Sequence, residues 1–276
     1  MANNLLKGKK GIIFGALNEN SIAWKVAQLA VADGAEIVLS NTALSIRMGE
    51  INKLSEELGA IVVPADATSV DDLEQLIDKT MEHFGGSFDF ILHSIGMSPN
   101  VRKGFDYDDL NYDFLSKTLD ISAVSFHKVM QVAMKRDALK EYGSVVALSY
   151  IAAQRTLTGY NDMADAKALL ESIARSFGYV YGVKKNVRVN TVSQSPTPTT
   201  AGNGVSGMGD LLKYADDMSP LGNGTAMDCA EYVITLFSDY TRKVTMQNLY
   251  HDGGFSNMAM TSKVMETFEK GMHSEE

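Results

Sequence analysis

Tyr160 and Lys167 are the two residues whose types and spacing most directly suggest chemistry. They lie seven positions apart. That is about two helical turns at roughly 3.6 residues per turn, so both side chains can share one helix face. A lysine ammonium beside a phenol favours the phenolate, and such a pair tunes a tyrosine for donating a proton and recovering it. The pair therefore suggests acid–base chemistry in a cleft, although this spacing is also common by chance.

The segments that must position this pair alternate between short apolar stretches and longer stretches of helical period. The short stretches are partly β-branched and bounded by glycine, aspartate, asparagine or serine, which is typical of buried strands. We predict strands at Gly11–Phe14, Glu36–Leu39, Ala60–Val63, Phe88–Leu92, Ser144–Leu148, Val187–Val192 and Met246–Tyr250. We predict helices starting near Ile22 and spanning Val70–Phe84, Asn111–Asp137 and Asp162–Tyr181. This alternation predicts an α/β fold, a single doubly wound Rossmann-type domain over residues 1–268 with a parallel sheet of about seven strands.

Two segments fall outside this alternation. Residues 193–210 carry two prolines and four glycines, and an irregular segment of that length is usually functional or disordered. The last residues, 269–276, are predicted to form a flexible tail.

Ligands of doubly wound sheets bind beyond the carboxyl ends of the strands, so the residues after each predicted strand are the next candidates. Gly15 follows the first strand and permits a tight turn. Ser21 could cap a helix that begins at Ile22, and the amino-terminal N–H groups of that helix suit a diphosphate. The G-x-G-x-x-G pattern is absent, so an ordinary strand–helix turn is an equal alternative.

The next three strand ends carry weaker signals. Asp66 could accept a hydrogen bond from an adenine amino group, or it could cap a turn. Small residues in Ser94-Ile95-Gly96 let the backbone approach a cofactor, with a simple turn as the alternative. Asn41 and Thr42 stand where a dinucleotide fold often carries an acid for the ribose or an arginine for a 2′-phosphate. The missing cation favours NAD(H) and does not exclude NADPH.

Composition excludes several classes of function. The chain has 276 residues, with 25 lysines and arginines against 34 aspartates and glutamates, so its net charge is −9. Nucleic-acid binding needs clustered cations, and this balance disfavours it. Cys229 is the single cysteine, and the histidines show no metal-ligand spacing, so we predict no metal site. No signal-peptide pattern and no apolar run near the ~18 residues of a membrane span is present, so we expect a cytoplasmic protein without membrane insertion.

Motifs from about Leu5 to Ser256 together resemble those of one family. They are Gly15…Ser21-Ile22-Ala23, His93-Ser94-Ile95-Gly96, Asp120-Ile121-Ser122, Ser149-Tyr150, Tyr160-x6-Lys167, Val189-Asn190-Thr191-Val192 and Asp252-Gly253-Gly254-Phe255. The chain resembles the short-chain dehydrogenase/reductase superfamily, and within it the bacterial NADH-dependent enoyl-acyl-carrier-protein reductases of fatty-acid elongation. Typical superfamily members have Tyr-x3-Lys and a serine thirteen residues before the tyrosine, but here those positions hold Met163 and Ala147. The longer spacing and the second tyrosine, Tyr150, are features of the enoyl reductases.

The resemblance implies roles for individual residues. Tyr160 would lie beside the nicotinamide and hydrogen-bond the thioester carbonyl oxygen, Lys167 would hold the nicotinamide ribose, and Tyr150 would line the same pocket. Met163 could border the acyl chain. The implied cofactor-binding positions are Gly15, Ser21, Ile22, Asp66, Ala67, Ser94, Ile95, Gly96, Lys167, Thr197 and Thr199. A mobile substrate-binding loop is implied near residues 193–213.

The implied reaction is hydride transfer from NADH to the β-carbon of a trans-2-enoyl thioester carried by acyl carrier protein. Negative charge would develop on the thioester oxygen, where the Tyr160 O–H would stabilise it. The resemblance also implies a homotetramer. One alternative is another superfamily reductase acting on a ketone or 3-oxoacyl thioester, which the spacing argues against. The other is a catalytically silent homologue, which the retention of Tyr160 and Lys167 argues against.

Two carboxylates, Asp162 and Asp165, fall between Tyr160 and Lys167 and depart from the family pattern. If they point outward they have no effect on the pair. A carboxylate that faced Lys167 would instead compete for its ammonium group. Pro198 is a further departure, because it removes a backbone donor and stiffens the segment after the sixth strand.

Overall fold

A parallel β-sheet forms the centre of the computed structural model, which describes residues 3–199 and 208–273. Within these residues, seven strands form one sheet in the order β3-β2-β1-β4-β5-β6-β7. The strands are β1 Lys10–Phe14, β2 Glu36–Ser40, β3 Ile61–Val62, β4 Phe88–His93, β5 Leu139–Ser149, β6 Arg188–Gln194 and β7 Asn248–His251. All neighbouring strands pair in parallel. The predicted doubly wound α/β fold is therefore confirmed, although β5 begins at Leu139 rather than at Ser144.

Helices cover both faces of this sheet. In the described part of the chain they are α1 Ile22–Ala32, α2 Ala43–Met48, α3 Ile51–Leu58, α4 Val70–Phe84, α5 Pro99–Lys103, α6 Tyr112–Leu119, α7 Ser125–Lys135, α8 Asp162–Lys185, α9 Met208–Met218, α10 Ala226–Phe237 and α11 Ser262–His273. None of these described helices has the length and apolarity that a membrane crossing requires.

The helix predicted over Asn111–Asp137 is present as α6 and α7, with a π-helical turn at Asp120–Val124 between them. Ser122 on this turn accepts a hydrogen bond from the Met97 amide and donates one to the Met97 carbonyl, both at 3.0 Å. The π turn is thereby fastened to the loop that follows β4.

The sheet has an apolar core on each face, because its strands carry buried apolar residues on both sides. Phe88 and Ile91 belong to the core beneath α4, α7 and α8. Phe90 belongs to the opposite core, where its ring stacks on Phe237 of α10 with centroids 4.5 Å apart. With both faces covered, the ends of the strands are where a ligand can reach the sheet.

The direction of chain winding reverses between the neighbouring strands β1 and β4, and such a reversal opens a crevice at their carboxyl ends. Gly15 follows β1 with φ +93°, and a Cβ atom there would lie 2.0 Å from the Ser94 carbonyl oxygen after β4. Both the backbone conformation and this contact require glycine. The two loops therefore touch at the reversal point.

α8 starts at Asp162, two residues after Tyr160, and extends to Lys185, beyond the predicted end at Tyr181. Acidic residues in its first turn and lysines in its last turn complement the helix dipole. The helix ends at Asn186, whose left-handed conformation, φ 55°, is one that asparagine tolerates. Lys167 therefore lies on α8, whereas Tyr160 precedes the helix and does not share a helix face with it.

Two segments predicted to be irregular are helical in part. α9 begins at Met208, inside the irregular segment predicted over residues 193–210 and inside the loop implied near residues 193–213, and residues 200–207 lie outside the described part. The reason is helical apolar spacing, which buries Ala215 and Met218. α11 continues to His273 and so includes residues 269–273 of the predicted tail, whereas residues 274–276 lie outside the described part.

Candidate active site

A cleft at the carboxyl ends of β4, β5 and β6, beside the start of α8, brings most of the predicted site residues together. The predicted residues that line it are Ile22, Ser94, Ile95, Gly96, Tyr150, Tyr160, Met163, Lys167, Thr197 and Thr199. The predicted residues outside its lining are Gly15, Ser21, Asp66 and Ala67. Sequence analysis assigned no site role to the further lining residues, which are Met97, Ser98, Val101, Arg102, Leu148, Ser149, Gln194, Ser195, Pro196 and Leu211. Most of these closely follow a strand or end one, so proximity to a strand end was the available signal.

Lys167 is buried at the base of this cleft. Lys167 is only 6% exposed, and its Nζ donates a hydrogen bond to the Leu148 carbonyl at 2.8 Å. Burial lowers the pKa of the Lys167 ammonium to about 8, and the nearby Glu171 carboxylate partly opposes this decrease. The ammonium is thus anchored to the end of β5 with donor capacity left for a ligand.

Tyr160 and Tyr150 form an aromatic pair in the same cleft, with ring centroids 5.0 Å apart. Burial raises the pKa of both phenols, and neither pKa is lowered by Lys167. The expectation that Lys167 favours the Tyr160 phenolate is therefore wrong for this structure, because desolvation opposes the charged form and Lys167 donates to Leu148. Tyr160 retains its proton near neutral pH and acts as a hydrogen-bond donor.

A hydrogen-bond chain that runs from the buried Ser149 and Glu171 to the exposed Gln154 supports the cleft from behind. Glu171 accepts from Ser149 Oγ at 2.6 Å through Oε1 and from Gln154 Nε2 at 2.9 Å through Oε2. Tyr250 Oη on β7 donates to Gln154 Oε1 at 2.5 Å. Sequence analysis missed Glu171, although its position one helical turn after Lys167 placed it on the same face of α8. The chain joins β5, α8 and β7 around the buried lysine.

Asp162 and Asp165 behave differently from each other, and only the exposed Asp165 points outward as one of the two expectations had it. Asp162 is fully buried and accepts hydrogen bonds from Ser98, Asn100 and Thr118, so it neither points outward nor binds Lys167. Asp165 accepts from the exposed Tyr107 Oη at 3.2 Å. The competition for the ammonium that these two carboxylates could have caused is therefore absent from the described contacts.

The turn between β1 and α1 leaves the start of α1 open. Ser21 is the residue before the helix, as predicted, but its hydroxyl does not cap the helix. It instead accepts hydrogen bonds from the Leu17 and Asn18 amides, both at 3.1 Å. The first amides of a helix have no intrahelical acceptor, so those beginning at Ile22 can face an anion in the cleft.

Two other predicted positions make local contacts. Asp66 is exposed and accepts from the Thr68 amide at 2.9 Å and the Thr68 hydroxyl at 2.7 Å, which is a turn arrangement. Thr197 donates its hydroxyl proton to the Ser195 carbonyl at 2.9 Å at the cleft wall. An adenine-binding role for Asp66 and Ala67 stays a prediction.

Comparisons with known proteins agree with this arrangement. The family model described as enoyl-(acyl carrier protein) reductase matches residues 15–256. The chain is 34% identical over 263 residues to enoyl-acyl-carrier-protein reductase (NADH) 2 of Rhizobium meliloti strain 1021, covering 94% of this chain and 95% of that protein. The chain is 33% identical to enoyl-acyl-carrier-protein reductase (NADH) FabI of Rickettsia bellii strain RML369-C, and the match covers 94% of this chain and 97% of that protein.

Solved structures are similar over the whole fold. The crystal structure of the FabI–NADH complex from Alistipes finegoldii is 77% identical with a TM-score of 0.95, over 97% of this chain and 95% of that chain. The NADH enoyl-acyl-carrier-protein reductase of Aquifex aeolicus VF5 is 28% identical with a TM-score of 0.86, over 93% of this chain and 100% of that chain.

The burial of Lys167 predicts a specific pH dependence of stability. Between pH about 8 and its ordinary pKa of 10.5, Lys167 is neutral in the folded protein but protonated in the unfolded chain. The unfolded chain then binds more protons, so the free energy of unfolding rises with pH in this window. Replacing Lys167 by methionine removes this titration. We expect the stability of wild type relative to Lys167→Met to increase by on the order of 3 kcal/mol from pH 8 to pH 10.5.

Urea unfolding at several pH values measures this difference. The exposed Lys79 provides the control, since Lys79→Met removes a lysine without removing a buried one. A wild-type minus Lys167→Met difference that stays flat across the window contradicts a depressed pKa at Lys167.

Proposed function

The chain belongs to the enoyl-(acyl carrier protein) reductase family, and on that premise we propose that it reduces trans-2-enoyl-acyl-carrier-protein thioesters to saturated acyl thioesters with NADH in fatty-acid elongation. The single observation that carries this proposal is one cleft that holds the Tyr160 hydroxyl and the buried Lys167 ammonium at the carboxyl ends of the strands. The first group suits a developing oxyanion and the second suits the hydroxyls of a cofactor ribose.

The residues around the cleft fit a nicotinamide dinucleotide. The open amino terminus of α1 at Ile22 suits the diphosphate, and Gly15 leaves the loop after β4 free of a side-chain clash. We propose that Ser94–Gly96 and Thr197 contact the cofactor along the cleft. NADH, when bound, supplies the hydride that the substrate β-carbon accepts.

Tyr160 stabilises the charge that forms on the thioester oxygen. Since burial raises the pKa of its phenol, Tyr160 keeps its proton and donates a hydrogen bond to the enolate oxygen. Tyr150 is buried beside it, and its Oη has no hydrogen-bond partner among the described residues. That unpaired hydroxyl supports a second polar contact with the substrate, because a buried polar group without a partner is costly.

The role of Lys167 in this proposal is to bind the cofactor, whereas the hydrogen bond to the substrate oxygen comes from Tyr160. One of its N–H bonds is directed to Leu148, which fixes the ammonium on the floor of the cleft. The remaining N–H bonds are available for the ribose hydroxyls. Because burial has already desolvated this group, its hydrogen bonds to a ligand are stronger than those of an exposed lysine.

The partner and the compartment follow from the same proposal. The substrate is carried by acyl carrier protein, and the lone cysteine, Cys229, fits a reducing cytoplasm because it cannot form an intrachain disulfide. We also propose a homotetramer.

Oxidation of NADH followed optically tests the proposed reaction. We expect turnover with crotonyl-acyl carrier protein, little with acetoacetyl-acyl carrier protein, and a higher kcat/KM with NADH than with NADPH. Turnover of the 3-oxo substrate instead identifies a ketoreductase. No turnover with either substrate, together with measurable NADH binding, identifies a catalytically silent homologue.

Variants of the pair separate the two roles. Tyr160→Phe removes one oxyanion donor, so we expect kcat to fall about 100-fold while the Kd for NADH stays nearly unchanged. Lys167→Ala removes hydrogen bonds to the cofactor, so we expect that Kd to rise about tenfold or more. NADH fluorescence titration and steady-state kinetics measure both effects, with Lys79→Ala as the control. Equal losses of turnover and affinity in Tyr160→Phe contradict its assignment.

The oligomer proposal has its own support and test. β7 is an edge strand of the sheet, and Tyr179 and Val183 on α8 expose 65% and 72% of their surfaces. Exposed edges and apolar residues are commonly covered by a subunit contact. Light scattering is expected to give the mass of four chains, and a monomer mass would overturn the proposal.

A further inference from the structure

We propose that Asp162 is a positioning residue for the reduction, which fixes one wall of the substrate cleft relative to Tyr160. The proposal rests on the proposed function, because it assigns Asp162 a part in that reaction. Asp162 itself is not among the residues that line the cleft. It acts through the groups that hydrogen-bond to it.

The Asp162 carboxylate is a buried junction of hydrogen bonds. It has no solvent exposure. Its Oδ1 accepts from Ser98 Oγ at 2.6 Å, and its Oδ2 accepts from Asn100 Nδ2 at 2.8 Å. Thr118 Oγ1 lies 2.8 Å from Oδ2 and 2.9 Å from the Phe114 carbonyl, so its single proton serves both acceptors. Such convergence compensates for burying a carboxylate that has no cation beside it in the described contacts.

The donors of these hydrogen bonds hold α5 and α6 in place, and Val101 and Arg102 of α5 line one wall of the cleft. Ser98 lines the cleft and also accepts from the Val101 amide at 3.0 Å, which caps α5. Asn100 is fully buried, donates to the Asn111 carbonyl at 3.2 Å and accepts from the Asn111 amide at 3.1 Å. α5 and the approach to α6 are therefore held in place through side chains that converge on Asp162.

The other side of the junction is the Tyr160 segment. Asp162 opens α8 two residues after Tyr160, and the Met163 amide donates to the Tyr160 carbonyl at 3.1 Å. Asn161 between them has φ 44°, and its side-chain amide donates to the Phe105 carbonyl. Asn161 and Asp162 thus both fasten the Tyr160 segment to the α5–α6 region. A shift at this junction moves the Tyr160 segment relative to the part of the cleft wall that α5 supplies.

A carboxylate fits this junction better than any other side chain of similar size. Both of its oxygens accept hydrogen bonds, and neither donates. An asparagine would place an amide donor against Asn100 Nδ2 in one orientation. In the other orientation it would face Ser98 Oγ, whose proton would then lose its acceptor. An alanine leaves all three donors without this acceptor, which is the more costly change.

Kinetics of matched variants test the proposal. We expect Asp162→Ala to lower kcat/KM for crotonyl-acyl carrier protein about 100-fold, as misplacement of reacting groups does, with a higher KM for the thioester. The Kd for NADH should stay close to that of wild type, because the junction lies outside the cofactor-facing residues. Asp162→Asn should recover part of the loss, to about tenfold below wild type. Asp165→Asn is the control, because it changes a carboxylate on the same helix that contacts the exposed Tyr107.

A second, milder variant tests the same proposal if Asp162→Ala does not fold. Thr118→Val preserves shape but removes one donor to Asp162, and Thr118 does not line the cleft. We expect the same direction of change, smaller in size. In the double variant with Asp162→Ala it should add little, because the two residues share one interaction.

The outcomes are distinct. If wild type turns over crotonyl-acyl carrier protein and Asp162→Ala matches Asp165→Asn in kcat/KM, the proposal for Asp162 is overturned while the proposed function stands. A variant that loses only thermal stability, or that loses NADH affinity as strongly as kcat/KM, also overturns it. Wild-type protein that is silent towards the thioester overturns both proposals together.

Discussion

The whole cleft depends on how closely the loops after β1 and β4 approach each other. Gly15 makes this approach available, since a Cβ atom at that position would lie 2.0 Å from the Ser94 carbonyl oxygen. The contact lies at the point where the chain winding reverses. It also sets the distance between the open amino terminus of α1 and Ser94–Gly96, which is the span that a dinucleotide has to cross.

Burial then decides which groups in the cleft carry charge. The same desolvation lowers the pKa of Lys167 to about 8 and raises the pKa of Tyr160 and Tyr150. Both shifts favour neutral side chains, so the tyrosines remain donors. A charge that forms on a substrate oxygen in this cleft meets O–H groups rather than phenolates, and such groups can donate hydrogen bonds to it.

Sequence alone predicted the features that depend on neighbouring residues along the chain. The succession of strands and helices along the chain, the parallel sheet and the Tyr–Lys spacing depend on periodicity and on residues that follow strand ends, and these features can be read directly from the sequence. The partners of Asp162 are not, because Ser98, Asn100 and Thr118 lie 64, 62 and 44 positions away from it. The direction of the Tyr160 pKa shift was misjudged for a similar reason, since spacing along the chain does not reveal whether the surrounding residues desolvate a phenol. Ser21 showed that a residue at the expected cap position can hydrogen-bond elsewhere, here to Leu17 and Asn18.

The π-helical turn at Asp120–Val124 has a consequence for the phase of the helix that contains it. A π turn accommodates one extra residue per turn, and one residue of an α-helix corresponds to a rotation of about 100°. Removing that residue while keeping α7 packed on the sheet would rotate α6 by about this angle and carry Thr118 away from Asp162. Ser122, which is bonded to both backbone groups of Met97, holds the wide turn open. The turn therefore sets the rotation of α6 relative to α7. With this rotation α7 packs on the core while Thr118 of α6 faces Asp162.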